Sequence, residues 1–339
     1  MAACDWTGIA TRLAASLPRS SLHPRVLAWL ATRADGGGVW HLALSGGADS
    51  VCVLLLLWAH WPEHRRRLRA LHFNHRLRAQ ASDEDALFCE DLCAGLGLPL
   101  LAGQWDAPPA HASEAQARAA RLGFLESALR HRRGRVLWTG HQADDVAESM
   151  FMRLARGSGS AGLSAPRPVQ FLPGGRVNLR PLLGLSKEVL CSALHTAGGH
   201  WREDASNTSG QYLRNRIRKD VLPAWNRANE GRDALAGALL SRELLEEDEE
   251  ALQSWLDASG ALPGNAEVDL RRLAGLPRAL VRRAVLRWLG ETPYRGDLSR
   301  QGLELLIDAC VAAQSTRFSL GRNGFALIRR GLLRFESQD

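Results

Sequence analysis

A short loop of glycines and hydroxyl side chains separates two apolar runs near residue 45. It reads SGGADS over residues 45–50, with LAL before it and VCVLLLLW after it. Glycines let an anion approach backbone N–H groups closely, and Ser45 and Ser50 add hydroxyl donors. The lysine of a Walker loop is absent, and Asp49 stands where a cation ligand is useful. The pattern favours a phosphate-holding loop over a buried structural turn.

The longest apolar run, 51–59, is too short to cross a membrane.

A group of acids follows in GHQADDVAE, residues 140–148. His141, Asp144, Asp145 and Glu148 have the spacing that places side chains on one face of a helix. Three carboxylates this close repel one another unless something positive lies between them, and Mg²⁺ or an amine ligand would serve. The alternative is a solvated first turn favoured by the helix dipole. For His141, a capping or packing role is the alternative to orienting a substrate.

Two further polar stretches favour ligand contacts. HFNHRLR, residues 72–78, follows an apolar run, which places His72, Asn74 and His75 at the carboxyl edge of a sheet, where open α/β folds bind ligands. In LRNRIRK, three arginines alternate around Asn215: Arg214, Arg216 and Arg218. They suit phosphate and base contacts, with a solvated face as the alternative.

The elements that must position these residues alternate between short apolar runs and amphipathic segments. We predict strands at 39–44, 68–73, 98–105 and 136–139, and helices at 50–61, 82–96, 113–131 and from residue 143. This alternation predicts a parallel sheet covered by helices on both faces. Residues 157–175 are rich in Gly, Ser and Pro, and we expect a long mobile loop there that closes over the site.

The rest of the chain has a different pattern of predicted elements, with several helices before the last strands. Helical patterns at 187–197, 223–260, 268–289 and 299–313 precede the short strand-like runs TRFSL, FALIRR and LLRF, with a turn at 321–324. A length of 339 residues suits two domains. We predict an α/β catalytic domain over 1–222, followed over 223–339 by a helical linker and a small α+β domain.

Composition narrows the class of protein. The 45% apolar and 23% charged fractions are typical of a soluble globular protein, and the N-terminus lacks a secretory signal pattern. The net charge of +7 suits a polyanionic partner, although an arginine-rich and alanine-rich chain with only two lysines also indicates compositional bias. Six dispersed cysteines indicate reduced thiols in a cytoplasm. Cys89 and Cys93 are interpreted as buried core thiols, with a metal site as the alternative.

The loop SGGADS resembles the pyrophosphate-binding loop (PP-loop) of the N-type ATP pyrophosphatases, which have a Rossmann-like sheet. Later motifs are SEAQARAARLGFL at 113–125, TGHQADDVAESMFMRLARGSGSAGL at 139–163, NLRPLL at 178–183 and WREDASNTSGQYLRNRIRKDVLP at 201–223. Together with HFNHRLR they make residues 39–223 similar to the tRNA(Ile)-lysidine synthetase family. The C-terminal domain resembles that family's tRNA-contacting domain more weakly, and we expect the further C-terminal segment of longer members to be absent. Leu122 replaces the family's usual tyrosine, which puts a local aromatic contact in doubt.

This resemblance implies an ATP-dependent and Mg²⁺-dependent ligase that joins free L-lysine to the wobble cytidine of an isoleucine tRNA with a CAU anticodon. It implies ATP contacts from the loop and the second strand, at Ser45, Gly46, Gly47, Ala48, Asp49, Ser50, His72 and Asn74. It implies that Asp49 and Asp144 hold magnesium, that Asp145 and Glu148 hold lysine, and that His141 orients substrates. It also implies tRNA contacts from Arg118, Arg121, Arg214, Asn215, Arg216 and Arg218. It leaves the oligomeric state open.

Two other functions remain open. A tRNA thiolase of the same superfamily would deliver sulfur to an adenylated base, which generally needs a CxxC pair or a cysteine near the catalytic face; Cys89 and Cys93 have the wrong spacing, and we expect them to lie away from the phosphate loop. A catalytically silent RNA-binding module is consistent with the basic charge but leaves Ser45 and Asp49 without a purpose.

Overall fold

A computed structural model describes residues 4–32, 38–77, 80–109, 112–131, 134–203, 213–229, 231–264, 267–293 and 298–337. Residues 204–212 of the predicted WREDASNTSGQY motif and Arg78 of HFNHRLR lie outside the described residues. The chain divides into two compact units, Met1–Leu244 and Leu245–Asp339. The helix Ala234–Ser259 runs across this division. The domain boundary proposed at residue 222 stays a prediction.

The first unit is built on a six-stranded sheet. Its strands are β1 (Trp40–Ala43), β2 (Leu68–Asn74), β3 (Leu100–Gln104), β4 (Val136–Trp138), β5 (Val169–Leu172) and β6 (Arg176–Leu179). They lie in the order β3-β2-β1-β4-β6-β5. All neighbours are parallel except the antiparallel pair of β5 and β6. The predicted α/β class with a parallel sheet is confirmed.

Helices cover both faces of this sheet. The helices of the first unit are α1 (Trp6–Ser16), α2 (Pro24–Ala31), α3 (Ala48–His60), α4 (Gln80–Gly95), α5 (Glu114–His131), α6 (Ala143–Leu154), α7 (Ser160–Leu163), α8 (Lys187–Thr196), α9 (Leu213–Arg216), α10 (Leu222–Ala228) and the first part of α11 (Ala234–Ser259). Alternate strand residues point to opposite faces. Accordingly Ala70 packs in the core around α3, and its neighbour Leu71 packs with Leu125 and Leu129 of α5.

The predicted mobile loop at 157–175 is wrong in part. Residues 160–163 form α7, and Val169–Leu172 form β5 against β6. The Arg153 guanidinium also donates to the carbonyl oxygens of Gly162 and Ala165. The composition gives these residues weak preferences for helix or strand, whereas pairing with β6, the next strand along the chain and the neighbour of β4, joins β5 to the sheet. The helices α1 and α2 and the strand β6 were likewise absent from the sequence prediction.

The second unit is a small α+β fold, as predicted. Its elements are β7 (Glu267–Asp269), α12 (Arg278–Glu291), α13 (Arg300–Val311), β8 (Thr316–Ser319), β9 (Gly324–Arg329) and β10 (Leu332–Ser337). The strands form an antiparallel sheet in the order β7-β10-β9-β8. Its core is separate and centres on Trp288, Leu306 and Leu333. Within the described part of the chain, no helix is both long and apolar enough to span a bilayer.

One glycine fixes how closely the turn after β4 approaches α3. A Cβ added at Gly140 would lie 2.8 Å from the carbonyl carbon of Asp49 and 2.9 Å from the Ser50 nitrogen. Atoms this close to a backbone cannot be accommodated without a shift. Gly140 therefore lets the start of α6 reach the first turn of α3.

Replacing Gly140 by alanine should destabilise the first unit by about 1–3 kcal/mol, because the new methyl group overpacks against backbone. The matched control is Gly123→Ala within α5, where an added Cβ meets nothing within 4 Å. That substitution should instead stabilise by about 0.5–1 kcal/mol, since alanine is the better helix former. Urea unfolding measures both. Equal stability of the two variants would contradict this packing.

Candidate active site

The phosphate loop joins β1 to α3. The helix begins at Ala48 after Gly47, which has no side chain to cap the first turn. Ser50 Oγ donates to the Gly47 carbonyl at 2.9 Å and lies 3.2 Å from Ser45 Oγ. The hydroxyls thus brace the turn, while the first N–H groups of α3 have no partner within the helix. Such a helix start is a ready site for an anion.

Gly46 holds the bend of this loop. Its φ of +85° lies in the left-handed region that favours glycine. The Gly46 carbonyl accepts from the backbone N–H of Arg202 at 2.9 Å, and the Arg202 guanidinium binds Glu84 and Asp85 of α4. The loop is therefore fastened to a segment far along the chain.

The expectation that Cys89 lies away from the loop is wrong. Its Sγ is 3.4 Å from the position that a Cβ of Gly46 would occupy. Cys89 and Cys93 are nevertheless fully buried, as the core interpretation predicted. Burial raises the pKa of both thiols, that of Cys93 to about 12. Thiols of this kind remain protonated and poorly nucleophilic near neutral pH.

Lys187 is a site residue that the sequence analysis missed. Its Nζ lies 2.9 Å from both carboxylate oxygens of Asp49. Its backbone N–H donates to Asp144 Oδ2 at 2.8 Å, so the start of α8 joins the two proposed magnesium ligands. Burial raises the pKa of Asp49, and the Lys187 ammonium opposes that rise. The sequence held one signal that could have identified this residue: Lys187 is one of only two lysines in the chain.

The carboxylates of Asp145 and Glu148 meet on one face of α6, as their spacing predicted. Asp145 Oδ2 caps the helix by accepting from the Gln142 N–H at 3.0 Å. Glu148 is 0% exposed and accepts from Arg214 Nε and Arg218 Nε, each at 2.5 Å. Arg214 also binds Asp145. The positive charge predicted between the acids is thus supplied by the chain itself.

His141 lies before α6, next to the capping residue Gln142, so it does not share the helical face of the acids. Its Nδ1 is 2.9 Å from Thr139 Oγ1. Burial holds the pKa of His141 well below its ordinary value, and four nearby guanidinium groups lower it further: Arg180, Arg214, Arg118 and Arg121. The imidazole is therefore neutral near pH 7.

The polar residues at the end of β2 have different roles. His72 is 3% exposed, with Nδ1 2.9 Å from the Leu44 carbonyl oxygen and Nε2 buried without a partner among the described residues. Burial lowers its pKa. Asn74 instead uses its amide to bind Asp83 at 2.9 Å and the backbone N–H of Arg76 at 2.8 Å. His72 has a buried nitrogen to offer a ligand, whereas Asn74 braces the turn that follows β2.

The predicted tRNA residues separate into exposed and buried groups. Arg118 of α5 and Arg216 are exposed, Arg121 is half-buried and Asn215 is buried. Arg214 and Arg218 are four residues apart in a continuous run of helical turns, so they face α6 together while Arg216 faces away. The alternation in the sequence therefore divides this set between an internal and an external surface.

A parallel sheet with a glycine-rich loop at a helix start is typical of nucleotide-binding proteins, and the sequence of this chain places it in the PP-loop ATP-binding class. Residues 23–225 match the family model described as a PP-loop domain. Within that class, the chain belongs to the tRNA(Ile)-lysidine synthase family. It is similar to the tRNA(Ile)-lysidine synthase of Gloeobacter violaceus, with 36% identity over 285 residues that cover 82% of this chain and 85% of that protein.

Two further comparisons differ in coverage. The tRNA(Ile)-lysidine synthase of Geobacter sulfurreducens is 34% identical over 279 residues, which cover 76% of this chain. The chain spans only 56% of the length of that relative. A solved U34-tRNA thiolase, NcsA from Methanococcus maripaludis with its 4Fe-4S cluster, covers 70% of this chain and 78% of its own, with a TM-score of 0.49 and 16% identity.

Substituting Glu148→Gln should destabilise the protein by about 3–5 kcal/mol, because it leaves two partly buried guanidinium groups without their shared carboxylate. The control is Glu188→Gln, an exposed acid in the first turn of α8, which should stay within about 0.5 kcal/mol of the wild type. Urea unfolding of both variants decides. A Glu148→Gln protein as stable as its control would show that the ion pairs are dispensable.

Proposed function

We propose that the chain is an ATP-dependent ligase that joins free L-lysine to C2 of the wobble cytidine in the CAU anticodon of an isoleucine tRNA. The observation that carries this proposal is the juxtaposition of an open helix start behind SGGADS with buried carboxylates at the start of α6, in a chain of the tRNA(Ile)-lysidine synthase family. The product base, lysidine, pairs with A instead of G. Its six free cysteines suit the reducing cytoplasm as its location.

The first step is attack of the cytidine C2 oxygen on the α-phosphate of ATP, with loss of pyrophosphate. The N–H groups at the start of α3 and the hydroxyls of Ser45 and Ser50 receive the charge of the leaving group. His72 Nε2, buried and without a described partner, offers an acceptor to the nucleotide.

Magnesium fits the pair of Asp49 and Asp144. The described residues contain no cluster of three or more metal-ligating side chains, but magnesium in nucleotide sites uses one or two carboxylates together with phosphate oxygens and water. Asp49 already holds a cation, the Lys187 ammonium, at 2.9 Å. Bound there, Mg²⁺ would neutralise charge on the phosphates. Lys187 would then turn from Asp49 to the phosphate oxygens.

The second step is attack of the lysine ε-amine on C2, with AMP as the leaving group. An amine with an ordinary pKa near 10.4 must first lose a proton, and a neighbouring carboxylate provides an acceptor. Asp145 and Glu148 are the proposed carboxylates, and in the free protein Arg214 and Arg218 hold them. Lysine must therefore replace a guanidinium group at this pair. The released arginine becomes available to tRNA phosphates.

The exposed arginines of α5 and α9 provide the remaining tRNA contacts in this proposal. Arg118 and Arg216 are exposed, and Arg121 is half-buried and close enough to lower the pKa of His141. The cytidine must leave the anticodon stack so that its C2 enters the site, as single-stranded RNA readers commonly require. The neutral His141 beside Thr139 then orients substrates through hydrogen bonds.

The thiolase alternative rests on the sulfur of Cys89 beside the loop. Sulfur transfer needs an accessible thiolate, and burial both encloses Cys89 and raises its pKa. The RNA-binding alternative leaves the bracing of SGGADS and the Lys187–Asp49 pair without a purpose. Neither alternative accounts for the site as well as the ligase does.

The direct test is incorporation of labelled L-lysine into CAU isoleucine tRNA with ATP and Mg²⁺, followed by alkali to remove aminoacyl esters. Alkali-stable label is expected, and Asp49→Ala should abolish it. If pyrophosphate is released with tRNA but no label appears, the nucleophile is wrong. If folded protein neither incorporates label nor releases pyrophosphate, the RNA-binding alternative replaces the ligase.

Lys187→Met should lower tRNA-dependent pyrophosphate release by about 100-fold or more, the loss usual for one charge-stabilising group. Lys219→Met changes the only other lysine, which is exposed, and should stay within about threefold of the wild type at saturating tRNA. Release of labelled pyrophosphate measures both variants. Equal rates for the two would remove Lys187 from the phosphate site.

A further inference from the structure

Arg180 stands at the carboxyl edge of the sheet, directly after β6. Leu179 pairs with Trp138 in the parallel register of β6 and β4, and the Thr139 N–H donates to the Leu179 carbonyl at 3.0 Å. Arg180 is therefore the neighbour of the turn that leads from β4 through His141 into α6. No role was predicted for it from the sequence beyond its place in the motif NLRPLL.

The Arg180 guanidinium is buried without an anionic partner among the described residues. Arg180 is 8% exposed. Its Nη1 donates to the Arg167 carbonyl at 2.7 Å, and its Nη2 donates to Gln170 Oε1 at 2.8 Å. Its Nε–H is buried and finds no acceptor in the described part of the chain. A buried charge with an unused donor is costly unless an anion completes it.

The surroundings of Arg180 carry a surplus of positive charge. Burial, together with the charges of Arg118 and Arg153, lowers the pKa of Arg180 to about 10, while Asp145 opposes this shift. Arg153 uses its guanidinium on the carbonyls of Gly162 and Ala165 and not on a carboxylate. An anion is thus favoured next to Asp145, the carboxylate proposed to hold an ammonium group.

We propose that Arg180 binds the α-carboxylate of the free amino acid substrate and so makes the site select an amino acid over a simple amine. This inference rests on the proposed ligase function. A zwitterion carries an ammonium and a carboxylate on one carbon, which matches the Asp145 carboxylate and the Arg180 guanidinium that feels its charge. A small carboxylate also suits a buried donor, whereas an RNA phosphate suits the exposed Arg118. Asp145 then holds the α-ammonium, and Glu148 remains as the proton acceptor for the ε-amine that attacks the cytidine.

The wild-type enzyme tests this without any substitution. L-lysinamide and cadaverine keep a primary amine like that of lysine but lack the α-carboxylate. In the alkali-stable incorporation assay, each should show a KM at least about tenfold above that of L-lysine, the effect of losing one charge-assisted contact. Equal KM values for L-lysine and L-lysinamide would overturn the proposal.

The variants Arg180→Gln and Arg180→Lys locate the effect. Arg180→Gln should raise the KM for L-lysine about tenfold or more, remove the preference over L-lysinamide and leave the KM for tRNA unchanged. Arg180→Lys keeps the charge and should restore part of the preference, which a purely structural role would not do. The control is Arg176→Gln at the start of β6, where the guanidinium faces Glu126 at 3.9 Å; its preference should equal the wild type's.

Three other outcomes can be told apart: an effect on tRNA binding, a failure to fold and a failure of the ligase function. A rise in the KM for tRNA with no change for lysine would assign Arg180 to an RNA phosphate and overturn the proposal. Should Arg180→Gln fail to fold, the wild-type comparison and Arg180→Lys decide. Failure of the ligase function itself is seen separately, as wild-type protein that incorporates no lysine.

Discussion

Three carboxylates, those of Asp49, Asp145 and Glu148, crowd the starts of α3 and α6, and their compensation by cations from later in the chain is the constraint on which the site depends. Asp49 receives Lys187, and Asp145 and Glu148 receive Arg214 and Arg218. Without those partners the acids would repel one another in a poorly solvated place. The helix starts add a modest attraction for negative charge but are insufficient for buried carboxylates.

The compensation links segments that are far apart in sequence. Lys187 lies 138 residues from Asp49, and Arg214 lies 66 residues from Glu148. The close approach at Gly140 brings the two helix starts together, and the Arg202 N–H fastens the phosphate loop to the segment after α8. The chain's own cations therefore occupy the positions that we assign to magnesium and to the lysine amine. Substrate binding in this account exchanges one set of positive groups for another.

The sequence predicted the parts of this arrangement that are local. Alternating apolar runs gave the parallel sheet, and SGGADS between a strand and a helix gave the phosphate loop. The spacing of Asp145 and Glu148 also predicted a shared face that demands positive charge, although not its source. The source depends on tertiary approach, which periodicity does not encode.

The failures have the same physical origin. Residues 157–175 have weak local preferences, yet pairing of β5 with β6 orders part of them. Cys89 comes beside Gly46 only because α4 packs against the loop. The alternation of arginines around Asn215 suggested one shared role, whereas helical turns divide them between inner and outer surfaces. In each case packing against another element decided what the local pattern left open.

The exchange of cations is tested most directly by a double-mutant cycle of Glu148→Gln and Arg214→Gln in urea unfolding, with and without saturating L-lysine. Without lysine, the two residues should couple by about 1–3 kcal/mol, as contacting charged groups do. With lysine, the account predicts that the coupling falls to within about 0.5 kcal/mol of zero, since the amine takes the place of the guanidinium. A coupling that lysine leaves unchanged would contradict the account, because the carboxylates would then belong to the arginines alone.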